Sequence, residues 1–352
     1  MKTDAGKITG SDLENLKRAG ECIKRGGLVA FPTETVYGLG GDAFNEDSAD
    51  KIYAAKGRPS DNPLIVHIYR TEDLDRLSDD IPESAYRLAA KFWPGPLTMI
   101  LKKKAGVPDR TTGGLRTVAV RMPSDPVAAK FIECAGGFVA APSANISGRP
   151  SPTKGSDVLE DMDGRIDMII DGGENEIGLE STIADLTVSP VQILRPGYIT
   201  ADMIGDVLGE KVDIDPALAA GSDERPRAPG MKYRHYAPKG EMVIVHGSDK
   251  AVINYINSEA GKESERGGKT GVLADGKNAA AYTADEVIDL GDLADPEEAA
   301  HRFYSALREM DRKGVTRIYA ESFAESGVGT ALRNRMLKAS GYKEIVLNTE
   351  EI

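Results

Sequence analysis

Only two of the 352 residues are cysteine, Cys22 and Cys134, and both sit in helical patterns without paired spacing. That excludes a disulfide framework and a thiolate zinc site, and leaves both as small buried hydrophobes. No run of about 18 apolar residues occurs, so no membrane helix is expected. The opening stretch, MKTDAGKITGSDLENLKRAG, lacks the apolar core of a secretory signal, and a cytoplasmic protein is the expectation. Positive charge is also in short supply. Against 56 acidic residues stand 44 basic ones, a formal net charge of −12. This argues against indiscriminate nucleic-acid binding, because counterion-release affinity needs a cationic surface. No loop fits the Walker pattern or the dinucleotide fingerprint, and no internal repeat relates the two halves.

What is present is an ordinary globular composition, 40% hydrophobic and 28% charged, on a chain long enough for two domains with separate cores. One window departs from the acidic average. Between Ser84 and Ser124 lie Arg87, Lys91, Lys102, Lys103, Lys104, Arg110, Arg116 and Arg121 against the single acid Asp109. Such a patch suggests a field focused on an anionic ligand, although Lys102 to Lys104 also suit a solvated strand end.

The chain is organised around Leu28 to Ile68. A short apolar strand (Leu28 to Phe31) leads to a polar turn with Thr33 and Thr35 and a segment punctuated by Gly38, Gly40 and Gly41. A helix from about Asp47 to Ala55 follows, then Lys56 and Arg58, a Pro-bounded loop and a strand from Leu64 to Ile68. A point-charge ammonium and a planar guanidinium one residue apart suit polyphosphate oxygens. The same pair also reads as solvated cations favoured by the helix dipole.

Further along, helices are expected at Glu83 to Phe92 and Pro126 to Cys134. Strands are expected at Leu97 to Leu101, Thr117 to Met122, Phe138 to Ala141, Asp167 to Asp171, Ser181 to Leu186 and Val191 to Leu194. Alternation in the second of these strands puts Arg121 opposite Val118 and Val120, on a polar sheet face. The loop PSANISGRPSPT packs Ser143, Asn145, Ser147, Ser151 and Thr153 around Gly148, many short hydrogen-bonding groups on a restrained backbone. This is an α/β pattern over residues 1–208. Residues 209–240 lose periodicity and read as an interdomain linker or lid, with the cluster Lys232, Tyr233, Arg234, His235 and Tyr236. Residues 241–352 alternate four strands with helices, a smaller, doubly wound, Rossmann-like α/β domain.

The segments FPTETVYGLG, KGRP with NPLIVHI, WPGPLT, VAVRMP, APSANISGRPSPT, GLESTI and ILRPG resemble the YrdC-like family of L-threonylcarbamoyladenylate synthases. The separate C-terminal domain, joined through PGMKYRHYAP, resembles that family's two-domain form. The resemblance implies an open twisted mixed sheet with a concave basic cavity. It also implies synthesis of threonylcarbamoyl-AMP and pyrophosphate from L-threonine, bicarbonate and ATP, with Mg²⁺ accompanying ATP and no protein metal ligand. A downstream transferase complex would then modify the tRNA adenosine beside the anticodon. By motif match, Lys56 and Arg58 are the catalytic pair, and Lys56, Arg58, Asn62, Thr117, Ser143, Asn145, Ser151, Arg195 and Tyr236 bind ATP. Thr33, His67, Arg121 and Ser181 hold threonine and bicarbonate. Tyr233, His235 and Tyr236 are expected to close over the nucleotide. The alternative is an RNA-binding module of the same fold, with weak, salt-sensitive tRNA contact along Arg87 to Arg121. A hydrogenase-maturation carbamoyl domain is disfavoured, because those chains carry zinc-finger cysteines.

Overall fold

The computed structural model describes residues 10–216, 218, 227–228, 235–323 and 327–347. The apolar run after Gly27 forms strand β1 (Val29–Phe31), and the glycine-punctuated segment forms a second strand, β2 (Gly38–Asp42), antiparallel to it. The glycines that disguise β2 in the sequence are what let it fit. A Cβ on Gly38 would stand 2.9 Å from the Phe31 ring, and one on Gly40 2.7 Å from Val139. Helix α1 (Gly10–Lys24) precedes this pair and helix α2 (Glu46–Lys56) follows it. Helix α2 is opened by the Asn45 side chain, which accepts from Asp47 N, and closed by Gly57 at φ +61°.

The remaining strands of this unit are β3 (Ile65–His67), β4 (Leu97–Lys102), β5 (Thr117–Arg121), β6 (Val139–Ala141), β7 (Met168–Ile169), β8 (Thr182–Asp185), β9 (Gln192–Arg195) and β10 (Asp213–Ile214). They form one mixed ten-stranded sheet in the order β10-β9-β8-β4-β5-β3-β6-β2-β1-β7. Helices α3 (Glu83–Phe92) and α4 (Pro126–Cys134) lie where periodicity places them. Two short helices, α5 (Gly155–Met162) and α6 (Ala201–Leu208), lie outside the segments whose periodicity announces a helix.

One sheet face carries the main core. Leu39, Val66, Met99, Val118 and Val120 pack there with Ile52 of α2, Leu88 of α3 and Ile204 of α6. The opposite face is built in two parts. At the β1–β6 end it is covered by α1 and α4 through Leu16, Ile23, Val127 and Phe131. Beyond them a small apolar cluster, including Ile65, Ile100, Ala119 and Ile183, lies on β3, β4, β5 and β8. Strand alternation places His67, Arg121 and Thr98 on that same face. Arg121 is thus presented as expected, but the face is not a solvated polar one, since Ala119 and Arg121 are both buried.

The second unit comprises Gly148–Pro150 and the chain from Arg234 onward. Strands β11 (Glu241–His246), β12 (Thr270–Ala274), β13 (Glu286–Asp289), β14 (Arg317–Glu321) and β15 (Glu344–Val346) are all parallel, in the order β13-β12-β14-β11-β15. β15 is a fifth strand beyond the four expected. Helix α7 (Asp249–Glu265) packs Val252 and Ile256 on Val243, Val245 and Val272. Helix α8 (Pro296–Arg312) lies on the other face, where Met310 occupies the space that a Cβ on Gly271 would need. Helix α9 (Val328–Ser340) completes the doubly wound arrangement. The first unit extends to Tyr233, so β10 pairs with β9 inside its sheet, within the stretch expected as linker.

Candidate active site

Helix α2 ends on Lys56, and its αL cap at Gly57 turns the chain so that Arg58 also points inward. The two cations are only 1% and 8% exposed, which rules out solvated helix-end residues. Lys56 Nζ donates to Ser143 O and Asn145 O, both at 2.5 Å, and lies 3.4 Å from Asn145 Oδ1. Ser143 Oγ donates to Asn145 Oδ1 at 2.6 Å. The KxR and SxN segments, 87 residues apart in sequence, are therefore one cluster. Arg58 Nη2 donates to Asn62 O (3.4 Å) and Pro63 O (3.2 Å).

Asn62 is fully buried, yet neither its amide oxygen nor its amide nitrogen has a hydrogen-bond partner. An orphaned buried amide costs about 1–3 kcal/mol, so its retention beside Arg58 points to a ligand. Asn62→Leu is expected to leave the denaturation midpoint unchanged or raised. The midpoint is read from urea unfolding of the variant beside the wild type.

A second cluster lies on β3, β5, β4 and β8. His67 stands opposite Arg121 in the β3/β5 register, and Arg121 opposite Thr98 in β5/β4. Thr98 Oγ1 lies 2.8 Å from Ser181 Oγ at the start of β8. Arg195, closing β9, donates from Nε to Ser181 O (3.0 Å) and from Nη2 to Ser181 Oγ (3.1 Å). Thr33 Oγ1 donates to Val36 O (2.7 Å) and meets Thr35 Oγ1 at 2.9 Å. That turn is tied down by Ile177 N to Glu34 O (2.8 Å) and Gly178 N to Thr35 O (3.1 Å).

Two acids that motif matching passed over complete the site. Glu34 Oε1 lies 2.8 Å from Arg121 Nη2, with both side chains 4% exposed. The approach is off the hydrogen-bond direction, so neither carboxylate oxygen accepts a bond. Glu180 Oε1 accepts from Ser151 Oγ at 2.5 Å. The signal for both was present, since they sit inside FPTET and GLEST, but a carboxylate beside an anion site has the wrong sign to attract notice.

His67 is buried edge-on against the Phe31 ring, 5.7 Å between centroids. Burial, reinforced by the Arg121 cation, pushes its pKa down to about 3. The imidazole is therefore neutral in the folded protein at physiological pH, and the unfolded chain binds the extra proton as pH drops below 6.5. Stability is lost on acidification through that window. Between pH 7.5 and 5.5 the wild type is expected to lose about 1.4 kcal/mol more than His67→Gln, read from urea midpoints.

Not every expected residue joins these clusters. Thr117 is half-buried at the far end of β5, about 13 Å along the strand from Arg121. Tyr236 belongs to the second unit, stacked on Tyr304 at 5.3 Å with the Arg335 guanidinium 5.7 Å from its ring centre. Lys232, Tyr233 and Arg234 lie outside the described residues. The basic window is not a continuous cationic face. Lys102, Lys103, Lys104 and Arg110 pair with Asp80, Asp109, Asp79 and Asp50, and Arg121 is the buried partner of Glu34. Among the described residues, no three His, Cys, Asp or Glu side chains gather in a way that would hold a metal ion. No described helix is long and apolar enough to cross a membrane.

Buried cations, short hydroxyls and an orphaned amide gathered on an open mixed sheet define an α/β protein built to bind a polyanion beside a small polar ligand. Two family models match the chain, Sua5/YciO/YrdC telomere recombination over residues 21–197 and threonylcarbamoyl-AMP synthase C-terminal domain over residues 199–341. The chain is 52% identical over 323 residues to the threonylcarbamoyl-AMP synthase of Pyrococcus abyssi, spanning 92% of this chain and 93% of that protein. It is 46% identical over 332 residues to that of Bacillus subtilis, spanning 94% of each. A crystal structure of Pyrococcus abyssi Sua5 complexed with L-threonine superposes with a TM-score of 0.90 at 50% identity, covering 96% of this chain and 97% of that one. The chain belongs to the threonylcarbamoyl-AMP synthase family.

Proposed function

We propose that this enzyme makes L-threonylcarbamoyladenylate from L-threonine, bicarbonate and ATP with release of pyrophosphate. The observation that carries the reading is the Lys56 ammonium buried on the Ser143–Asn145 loop, next to a separate cluster suited to an amino acid. Lys56, Arg58, Asn62, Ser143, Asn145, Ser151 and Arg195 take the nucleotide. Thr117 and Tyr236 join that set on motif match alone. Thr33, His67, Arg121 and Ser181 take threonine and bicarbonate, with the Arg121 guanidinium on a carboxylate.

The threonine amine captures bicarbonate to give a carbamate with loss of water, and a carbamate oxygen then attacks the α-phosphorus, breaking its bond to the departing pyrophosphate. In-line displacement at phosphorus is catalysed by positioning and by neutralising charge, so no protein nucleophile is needed. Lys56 and Arg58 supply the charge, and the neutral His67 positions substrate without competing for protons. Magnesium would accompany ATP as part of the substrate, and no residue of this chain is assigned to hold it.

We place the reaction in the cytoplasm, upstream of a transferase complex that modifies tRNA. A tRNA contact along Arg87 to Arg121 would have to displace the surface ion pairs, so the small-molecule reaction is favoured over an RNA-binding module. The test is pyrophosphate release from ATP with L-threonine, L-serine or no amino acid, with and without bicarbonate. Release that needs both threonine and bicarbonate is the expected result. RNA binding without any such release would overturn the reading.

A further inference from the structure

Glu34 stands in the amino-acid cluster with neither carboxylate oxygen accepting a hydrogen bond, although its side chain is only 4% exposed. An ionised carboxylate has about four acceptor positions to fill, and a buried ion pair offsets its desolvation only when such positions are satisfied. Arg121 does not satisfy them. Its Nη2 lies 2.8 Å away but off the hydrogen-bond direction, and is itself without a hydrogen bond. The turn is not free to improve the fit, since Ile177 N donates to Glu34 O and Asn175 Nδ2 donates to Thr33 O. A buried anion and cation held side by side with their bonds unmade match a ligand that carries the opposite pair on neighbouring atoms. An amino-acid zwitterion is such a ligand.

The reaction also needs a base at this place. Threonine arrives as an ammonium, which has no lone pair, and joining it to bicarbonate releases one water and one proton. The surrounding groups are poor acceptors of that proton. Burial and the Arg121 cation lower the His67 pKa to about 3, and Lys56, Arg58 and Arg121 are cations. Glu180 already accepts from Ser151 Oγ, and Asp125 from Ala128 N at 2.8 Å, at the start of α4.

We propose that Glu34 is a catalytic residue, whose carboxylate binds the α-ammonium of threonine and accepts the proton released when the nitrogen attacks bicarbonate. The N–C bond forms and one C–O bond of bicarbonate breaks. Of the two protons that leave the nitrogen, one departs with the released hydroxyl as water and the other ends on Glu34, now a carboxylic acid. Arg121 turns meanwhile to the threonine carboxylate. The inference deepens the reading of Thr33, His67 and Arg121 as the threonine site and rests on it.

The test is calorimetric titration of the full chain with L-threonine and with 3-hydroxybutyrate, which is threonine without its ammonium, beside steady-state pyrophosphate release. Wild type, Glu34→Gln, Glu34→Asp and Arg121→Met are compared. Wild type is expected to bind threonine at least about tenfold more tightly than the analogue, and in Glu34→Gln that preference should shrink to about threefold or less. The kcat should fall about 10²-fold in Glu34→Gln and stay within about tenfold in Glu34→Asp, which keeps a carboxylate. A Glu34 that served only as counter-charge to Arg121 would alter both ligands alike, leave the preference intact and make Glu34→Asp no better than Glu34→Gln, which overturns the inference. Should Glu34→Gln fail to fold, the wild-type preference and the Glu34→Asp rate decide, and a wild type that binds both ligands equally sinks the proposal. If Arg121→Met raises the threonine KM while Glu34→Gln keeps both preference and kcat, this inference alone fails. If Arg121→Met leaves the threonine KM untouched, the threonine-site assignment fails and takes the inference with it.

Discussion

Lys56→Ala is expected to lower threonine-dependent pyrophosphate release by about 10²–10³-fold. Two losses add. The ammonium is the buried charge nearest the Ser143–Asn145 loop, and a fixed cation in a water-poor site stabilises developing phosphate charge far more than a solvated one does. The same Nζ also gathers the Ser143 and Asn145 carbonyls and approaches the Asn145 side chain, so its removal frees the loop that presents Asn145. Lys56→Arg should fare little better. A planar fork does not reproduce a compact point charge in a position that is 1% exposed. Full release by either variant in a continuous pyrophosphate assay would refute the assignment.

Arg121→Met is the second large effect, and it acts on stability and activity together. In the folded chain the Arg121 guanidinium is the counter-charge of Glu34, 2.8 Å away with both side chains buried. Removing one member of such a pair strands the other in a low-dielectric site and is expected to cost about 3–5 kcal/mol in urea unfolding. Glu34→Gln in the same chain should restore most of that loss, because the stranded charge is gone. Activity should not return with it. The threonine KM is expected to stay raised about 100-fold, as befits the loss of a charge-assisted carboxylate contact. Equal stability of the single and double variants would show that Glu34 is not the partner that matters. A double variant with normal threonine KM would remove Arg121 from the amino-acid site.

How far the sequence could be read depended on whether a residue's neighbours were close along the chain. Lys56 and Arg58 were legible as an anion-binding pair because they sit together at a helix end, but only burial decides between that role and solvated cations. The SxN loop was suspicious for its density of short donors, whereas its contact with Lys56 spans 87 residues and has no local signature. Strand β2 escaped a propensity argument because glycine is a poor strand former. The fold uses the missing side chains as clearance for Phe31 and Val139. Glu34 was hidden by its sign, since an acid in a substrate turn makes sense only once strand register sets Arg121 beside it. The charge window from Arg87 to Arg121 misled in the opposite direction. Three of its cations, Lys102, Lys104 and Arg110, are answered by Asp80, Asp79 and Asp50, acids outside the window that the fold brings alongside.

The route of the chain through Gly148–Pro150 bears on how this protein is made. A tripeptide that belongs to the second unit is synthesised long before the rest of that unit, so during translation the loop from Asn145 to Ser151 waits with its middle unanchored. The first sheet is able to close on its own strands while that loop is still unsettled. Cutting the gene at the boundary between the units would therefore not yield two finished halves. One product would carry a loop without its seat, and the other a seat without its loop.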